Sequence, residues 1–189
     1  MSLYYTNRKG HRHYLRAATT KKGGTRYYIV RHPERYADDE LLLQLPSGFE
    51  FYEHPFDARV VLRKKLKSKI TDDEVNIVDR VMSQHETVKD YILDRDKESI
   101  FVYQTGHTEA DTFFDKELFR LIQQYDAKLR LRKTDEETYQ AQRFCHLSRY
   151  YGWITLETSP HLGDLAQKFC FHIDKESLLE FWIEGEEDW

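Results

Sequence analysis

The chain has 189 residues, of which 40% are hydrophobic, 14% aromatic and 33% charged. This composition is typical of one or two globular domains, and it excludes disordered and collagenous chains because they lack the apolar residues that build a core. No apolar run reaches the length of a bilayer span, and no basic region precedes an apolar stretch at the N-terminus. We therefore expect no membrane segment, no signal peptide and a cytoplasmic location.

Charge is unevenly distributed along the chain. The first 70 residues carry 15 Lys and Arg against 7 Asp and Glu, whereas the rest carries 14 against 26. This difference predicts a basic module at 1–70 and an acidic lobe at 71–189. The first 33 residues hold eight basic residues and no acidic one, a balance that attracts polyanions. Alternatively, this basic segment docks on the acidic remainder of the chain.

The basic module is rich in tyrosine and aliphatic residues separated by turn signals. Five strands are predicted there, at residues 3–6, 13–18, 26–31, 49–53 and 58–64. Gly23 and Gly24 can adopt positive φ and favour a hairpin between the second and third strands. The first three strands are therefore predicted to form an antiparallel meander.

The acidic lobe begins with a helix signal. Thr71 and Glu74 have the spacing of a capping box, and apolar residues recur at helical intervals to about His85. Further strands are predicted at residues 88–93, 99–104, 128–133, 139–147 and 153–156. Strands and helices do not alternate regularly, so the predicted class is α+β.

Three more helices are predicted in this lobe. Apolar residues at helical spacing predict the first over 114–125, with Tyr125 on its apolar face. Ser159 is expected to cap the second, with Pro160 at its first position. The third is expected to be short and capped at Asp174.

Several N-terminal motifs carry a resemblance. They are Tyr4-Tyr5-x-Asn7-Arg8-Lys9-Gly10, Thr20-Lys21-Lys22-Gly23, Arg26-Tyr27-Tyr28 and Leu45-Pro46-x-Gly48-Phe49-Glu50-x-Tyr52-Glu53-x-Pro55. The chain resembles, over about its first 65 residues, a family of uncharacterised bacterial proteins of unknown function. The resemblance implies a bacterial origin and a recurring β module, but no catalytic residues.

The second strand predicts a nucleic-acid contact. Arg12, Tyr14 and Arg16 share one strand face by the two-residue period, which places a ring suited to base stacking between cations suited to phosphate. Arg26 and Tyr28 repeat the pattern on the third strand. The candidate nucleic-acid-binding residues are Arg8, Lys9, Arg12, Tyr14, Arg16, Lys21, Lys22, Arg26 and Tyr28.

Candidate catalytic residues are fewer. His107, Glu109 and Asp111 bring an imidazole and two carboxylates into one loop, which suits a divalent metal or proton transfer. Acidic residues before a helix more often cap its amides, and Asp111 is placed to do so. His11 and His13 lack a third metal ligand by spacing. We therefore predict no metal site and no cofactor.

The remaining motifs favour no enzyme class. The chain has no serine-hydrolase elbow, zincin, phosphate-loop or dinucleotide fingerprint. Its two cysteines, Cys145 and Cys170, are predicted to be buried thiols. The favoured hypothesis is a non-enzymatic protein that binds nucleic acid or another polyanion. The alternatives are a metal-dependent enzyme acting on a phosphate-containing substrate, and a protein-interaction module that self-associates through opposite charges.

Overall fold

The structure is a computed structural model that describes residues 2–106, 116–135, 137–147 and 150–181. These residues form an α+β fold, as predicted, with ten strands in three antiparallel sheets among them. The chain forms two compact units, one of residues 1–65 with 109–124 and one of residues 66–108 with 125–189. Among the helices in the described ranges, none is both long and apolar enough to span a bilayer.

The first unit contains two sheets. The strands are β1 (Tyr4–Thr6), β2 (Arg12–Thr19), β3 (Thr25–Val30), β4 (Phe49–Glu53) and β5 (Val60–Lys64). The predicted antiparallel meander is confirmed, in the order β1-β2-β3, and β4 pairs with β5 as a hairpin. Ring contacts join the two sheets, since the centres of Tyr5 and Phe51 are 5.6 Å apart and those of Tyr27 and Phe49 are 5.7 Å apart.

The turn between β1 and β2 is held by a buried amide. Asn7 is only 4% exposed, and its side chain donates to the carbonyl of Ala58 at 2.8 Å and accepts from the amide of His11 at 2.9 Å. Gly10 closes the turn at a φ of 80°, which only glycine adopts without strain. Because Ala58 precedes β5, the same amide fixes this turn against the β4-β5 hairpin.

The second unit is a five-stranded meander with two helices packed on its core face. Its helices are α1 (Asp72–Ser83) and α3 (Leu162–Cys170), and its strands are β6 (Tyr91–Arg95), β7 (Ser99–Thr105), β8 (Tyr125–Lys133), β9 (Tyr139–Cys145) and β10 (Gly152–Ser159). The strands lie in the order β10-β9-β8-β7-β6. Val78 of α1, Phe169 of α3 and Leu131 of β8 are fully buried in one core, where both cysteines also lie as free thiols.

Helix boundaries differ from the predictions at three places. Helix α2 spans Lys116–Ile122, and Tyr125, predicted on its face, instead begins β8, where it pairs with Thr105 and donates to Asp90 at 2.7 Å. Ser159 is not a helix cap, because it ends β10 in register with Tyr139.

The cap of α3 is His161 and the helix begins at Leu162, so Pro160 is not its first residue. The last predicted helix is a 3-10 turn, Glu176–Leu179, that follows Lys175. Asp174 has a φ of 68°, a left-handed conformation that is incompatible with the extended backbone of an N-cap.

The capping box of α1 is confirmed and is part of a buried ionic network. The Thr71 hydroxyl accepts from the Glu74 amide, and the Glu74 carboxylate accepts from the Thr71 amide at 2.6 Å. Lys133 Nζ lies 3.0 Å from the same carboxylate, and the Tyr139 hydroxyl donates to it. Burial alone raises the pKa of Glu74, but these hydrogen bonds outweigh it and lower the pKa to about 2.

We expect Glu74→Gln to lower the free energy of unfolding by about 3 kcal/mol at pH 7, because a carboxylate with a depressed pKa stabilises the folded state wherever it is ionised. In the wild type this stabilisation is complete above the unfolded pKa of 4.5 and is lost as the pH falls toward 2. Urea unfolding at pH 7, 4 and 3 measures both effects.

Asp73→Asn is the matched control, since Asp73 is an exposed acid in the same helical turn. Its effect on stability should be small. Equal stability losses in the two variants would contradict the network described for Glu74.

Candidate nucleic-acid interface

Strand β2 has two chemically different faces. Arg12, Tyr14 and Arg16 lie on one side and His13 and Leu15 on the other, because successive residues of a strand point in opposite directions. Leu15 is fully buried and His13 is 8% exposed, whereas Arg12 is exposed and Tyr14 and Arg16 are half-buried. The two arginines and the tyrosine therefore share a solvent-facing side.

The antiparallel register extends this side over all three strands. Residues directly opposite each other on neighbouring strands lie on the same face of a sheet. Tyr4 is opposite Tyr14, and Arg16 is opposite Tyr28. We call the resulting surface the outer face; it consists of Tyr4, Thr6, Arg12, Tyr14, Arg16, Ala18, Arg26, Tyr28 and Val30.

Guanidinium groups lie over tyrosine rings on the outer face. The Cζ atom of Arg12 is 5.0 Å from the centre of the Tyr4 ring, and that of Arg26 is 5.5 Å from Tyr28. The rings of Tyr4 and Tyr14 have centres 5.8 Å apart. A cation within about 6 Å of a ring centre is attracted by its quadrupole. These contacts align the two exposed arginines on the sheet without using their N–H groups.

Arg16 has an internal partner. Its Nη2 lies 2.5 Å and its Nε 2.6 Å from Oε2 of Glu40. The segment that carries Glu40 folds back along β2, where Leu41 pairs with Arg16 beyond the end of β1. The guanidinium also lies 4.5 Å from the centre of the Tyr36 ring. Arg16 is therefore neutralised within the chain and supports the surface rather than adding free charge to it.

Arg8 is likewise engaged. Its Nη1 lies 3.0 Å from Oε1 of Glu53 and donates to the carbonyl of His54 at 3.1 Å. The Tyr5 hydroxyl donates to the same carboxylate at 3.1 Å. The side chains of Arg8 and Glu53 are only 19% and 13% exposed, so this ion pair joins the β1-β2 turn to the β4-β5 hairpin and is structural.

The other predicted cations differ from these two. Within the described ranges, no carboxylate forms an ion pair with Lys9, Arg12, Lys21, Lys22 or Arg26. All but Lys9 are exposed, and Lys21 and Lys22 lie in the turn between β2 and β3. Burial, together with the charge of Arg8, lowers the pKa of Lys9. The cations open to an anion are thus Arg12, Arg26 and the two turn lysines.

The histidine candidates give no metal centre within the described ranges. No group of three or more His, Cys, Asp or Glu residues is placed there to hold an ion. Burial, with the charge of Arg31, lowers the pKa of His13 and so favours its neutral imidazole. His107, Glu109 and Asp111 lie outside the described residues.

Two contributors to the surface were missed in the sequence, Tyr4 and Tyr36. The position of Tyr4 on the outer face follows from the strand register once the β1-β2 turn is fixed at Asn7 to Gly10. No strand register predicts the position of Tyr36, because it lies between two 3-10 turns, Pro33–Arg35 and Asp38–Glu40. Its place over Arg16 depends on the path of this segment back along β2.

Comparison of the chain with protein-family models, curated proteins and solved structures finds no match. The geometry and charge of the outer face are therefore the observations that bear on the function of the protein.

We expect Arg8→Ala to destabilise the protein much more than Arg12→Ala, although each removes one positive charge. Removing Arg8 leaves the buried Glu53 carboxylate without its cation, which should lower the free energy of unfolding by about 3 kcal/mol. Removing the exposed Arg12 should change it by about 0.5 kcal/mol at most. Thermal unfolding at pH 7 compares the two variants. An Arg12 variant as unstable as the Arg8 variant would show that Arg12 is structural too.

Proposed function

We propose that this protein is a non-enzymatic binding protein whose outer face contacts single-stranded nucleic acid. Arginines and turn lysines would neutralise backbone phosphates, and tyrosine rings would stack on unpaired bases. Release of condensed counterions from the phosphates supplies the affinity of such a contact, and stacking adds to it without strict sequence preference.

The observation that carries the proposal is the pairing of exposed guanidinium groups with tyrosine rings on one sheet face. Arg12 and Arg26 are exposed and have no ion-pair partner in the described part of the chain, and each lies over a tyrosine of the same face. The guanidinium group can pair with a phosphate, and the tyrosine ring can stack on a base. The outer face offers both at the spacing of neighbouring strands, about 5 Å.

A single strand is favoured over a duplex by the rings. Tyr4 and Tyr28 are about 40% exposed, so part of each ring is open to a stacking partner. Bases in a duplex are stacked on one another, whereas unpaired bases can be splayed onto aromatic side chains. The net charge of −4 also argues for a local contact rather than a protein that coats duplex DNA through overall charge.

The two alternative hypotheses gain no such support. The metal-dependent enzyme depends on His107, Glu109 and Asp111, of which the structure describes none. Self-association through opposite charges depends on total charge alone, and the pairing of Arg8 with Glu53 and of Arg16 with Glu40 already uses two of the early arginines.

The double variant Arg12→Gln, Arg26→Gln tests the phosphate contacts. We expect it to bind a fluorescent 15-nucleotide thymidine strand roughly tenfold more weakly than the wild type in 50 mM salt. The slope of log affinity against log salt should become shallower by about 1.4, roughly 0.7 for each of the two lost phosphate contacts with a single strand. Fluorescence anisotropy between 50 and 200 mM salt measures both quantities.

The matched control is Arg59→Gln, Lys64→Gln, which removes two exposed cations of the same unit that lie off the outer face. It should retain most of the binding. An equal loss in both double variants would assign the affinity to net charge, and absence of binding by the wild type would reject the proposal.

Stacking is tested at Tyr28. We expect Tyr28→Ala to weaken thymidine-strand binding by about tenfold, since one base stacked on a ring contributes roughly 1–3 kcal/mol. Tyr28→Phe keeps the ring and should bind nearly as well as the wild type. The same anisotropy titration compares the three proteins, and similar binding by Tyr28→Ala and Tyr28→Phe would contradict a stacking role.

A further inference from the structure

One end of the outer face borders a hollow of about 460 Å³. The segment after β3 returns along β2 and forms the opposite wall, where the amide of Leu42 donates to the carbonyl of Leu15 at 2.8 Å. Six of the lining residues carry its chemistry: Tyr4, Arg12, Tyr14, Glu34, Tyr36 and Asp38. The volume lies within the range typical of small-molecule sites, about 300–1,000 Å³.

The rings of this hollow do not form a cage for a cation. The guanidinium of Arg12 already lies over Tyr4, and that of Arg16 over Tyr36. A second cation would be repelled by Arg12, which itself lines the space. A flat, uncharged ring system can instead pack against tyrosine and guanidinium planes alike.

The carboxylates of the hollow can accept further hydrogen bonds. Glu34 already has one partner, the Nδ1 atom of His32 at 3.2 Å. The carboxylate of Asp38, an exposed residue, has no hydrogen-bond or ion-pair partner within the described part of the chain. An ionised carboxylate only accepts hydrogen bonds, and its two oxygens can receive two parallel N–H groups. A ligand that displaces water from this hollow replaces the lost hydrogen bonds of Asp38 best with donors of its own, and an anionic group on it can pair with Arg12.

We infer that the hollow binds a guanine nucleotide unit of the strand held on the outer face, an inference that rests on the proposed function. Guanine places the N1–H and an N2–H group side by side, which matches one carboxylate. Adenine and cytosine place a ring-nitrogen acceptor beside their amino group, and thymine and uracil offer a single N–H between two carbonyls. The nucleotide's phosphate is then paired with Arg12, and its base stacks on the tyrosine rings.

The test compares thymidine pentamers whose central base is thymine, guanine or hypoxanthine, titrated by isothermal calorimetry. Hypoxanthine keeps N1–H but lacks the 2-amino group. We expect the guanine pentamer to bind about tenfold more tightly than the other two, because a hydrogen bond to a charged group is worth more than a neutral one. Asp38→Asn should abolish this preference while leaving the thymidine pentamer's affinity unchanged or slightly higher.

Asp39→Asn is the matched control. Asp39 is exposed, lies on the same 3-10 turn and does not line the hollow. This variant should keep the full guanine preference. A preference that survives in Asp38→Asn, or that is lost equally in both variants, overturns the assignment of Asp38.

The outcomes separate this inference from the proposed function. Equal binding of all three pentamers, with binding still lost in Arg12→Gln, Arg26→Gln, overturns the guanine site and leaves the proposed function intact. Binding of free guanosine 5′-monophosphate that depends on Asp38, without binding of any strand, supports the guanine specificity of the hollow but contradicts the proposed function and the claim that the nucleotide belongs to a bound strand. No binding of pentamers, 15-mer or mononucleotide overturns both.

Discussion

The alternation of side chains along β2 is the constraint on which the candidate interface depends. Leu15 is fully buried and His13 nearly so, and their burial fixes which side of the strand faces the core. A shift of one residue in the register would bury Arg12 and Arg16 and expose Leu15, at a cost far above that of any surface contact. The positions of the cations on the outer face therefore follow from the packing beneath them.

The placement of a few carboxylates decides which of these cations are open to a ligand. Glu53 is anchored by Arg8 and Tyr5 where two sheets meet, and Glu40 neutralises Arg16 from a segment that follows β3. Among the candidate cations, those left open to an anion are Arg12, Arg26, Lys21 and Lys22. A few separate cations interleaved with tyrosine rings suit one flexible strand, whose phosphates and bases can be positioned separately, better than a rigid duplex.

The second unit is organised around an apolar core and the buried ionic network of Glu74. Its described strands and helices bury one apolar core, and the carboxylate of Glu74 accepts hydrogen bonds from Thr71 and Tyr139 and pairs with Lys133. This network also joins α1 to β8 and β9, so the capping box serves tertiary packing as well as the helix end. The depressed pKa of Glu74 thus follows from the contacts that join α1 to the sheet, since structural ion-pair networks perturb pKa values as well.

The sequence by itself determined the α+β class, the N-terminal meander, the shared face of Arg12, Tyr14 and Arg16, and the capping box, because each depends on residues close together in the chain. It misplaced Tyr125 and Ser159, since pairing with distant strands outweighs a local helix signal. Tertiary structure alone decided that Glu53 and Glu40 neutralise two arginines, and that Tyr36 and Asp38 meet β2 across a hollow. The physical reason is that ion pairing and pocket formation depend on distances in space, which residue spacing along the chain does not specify.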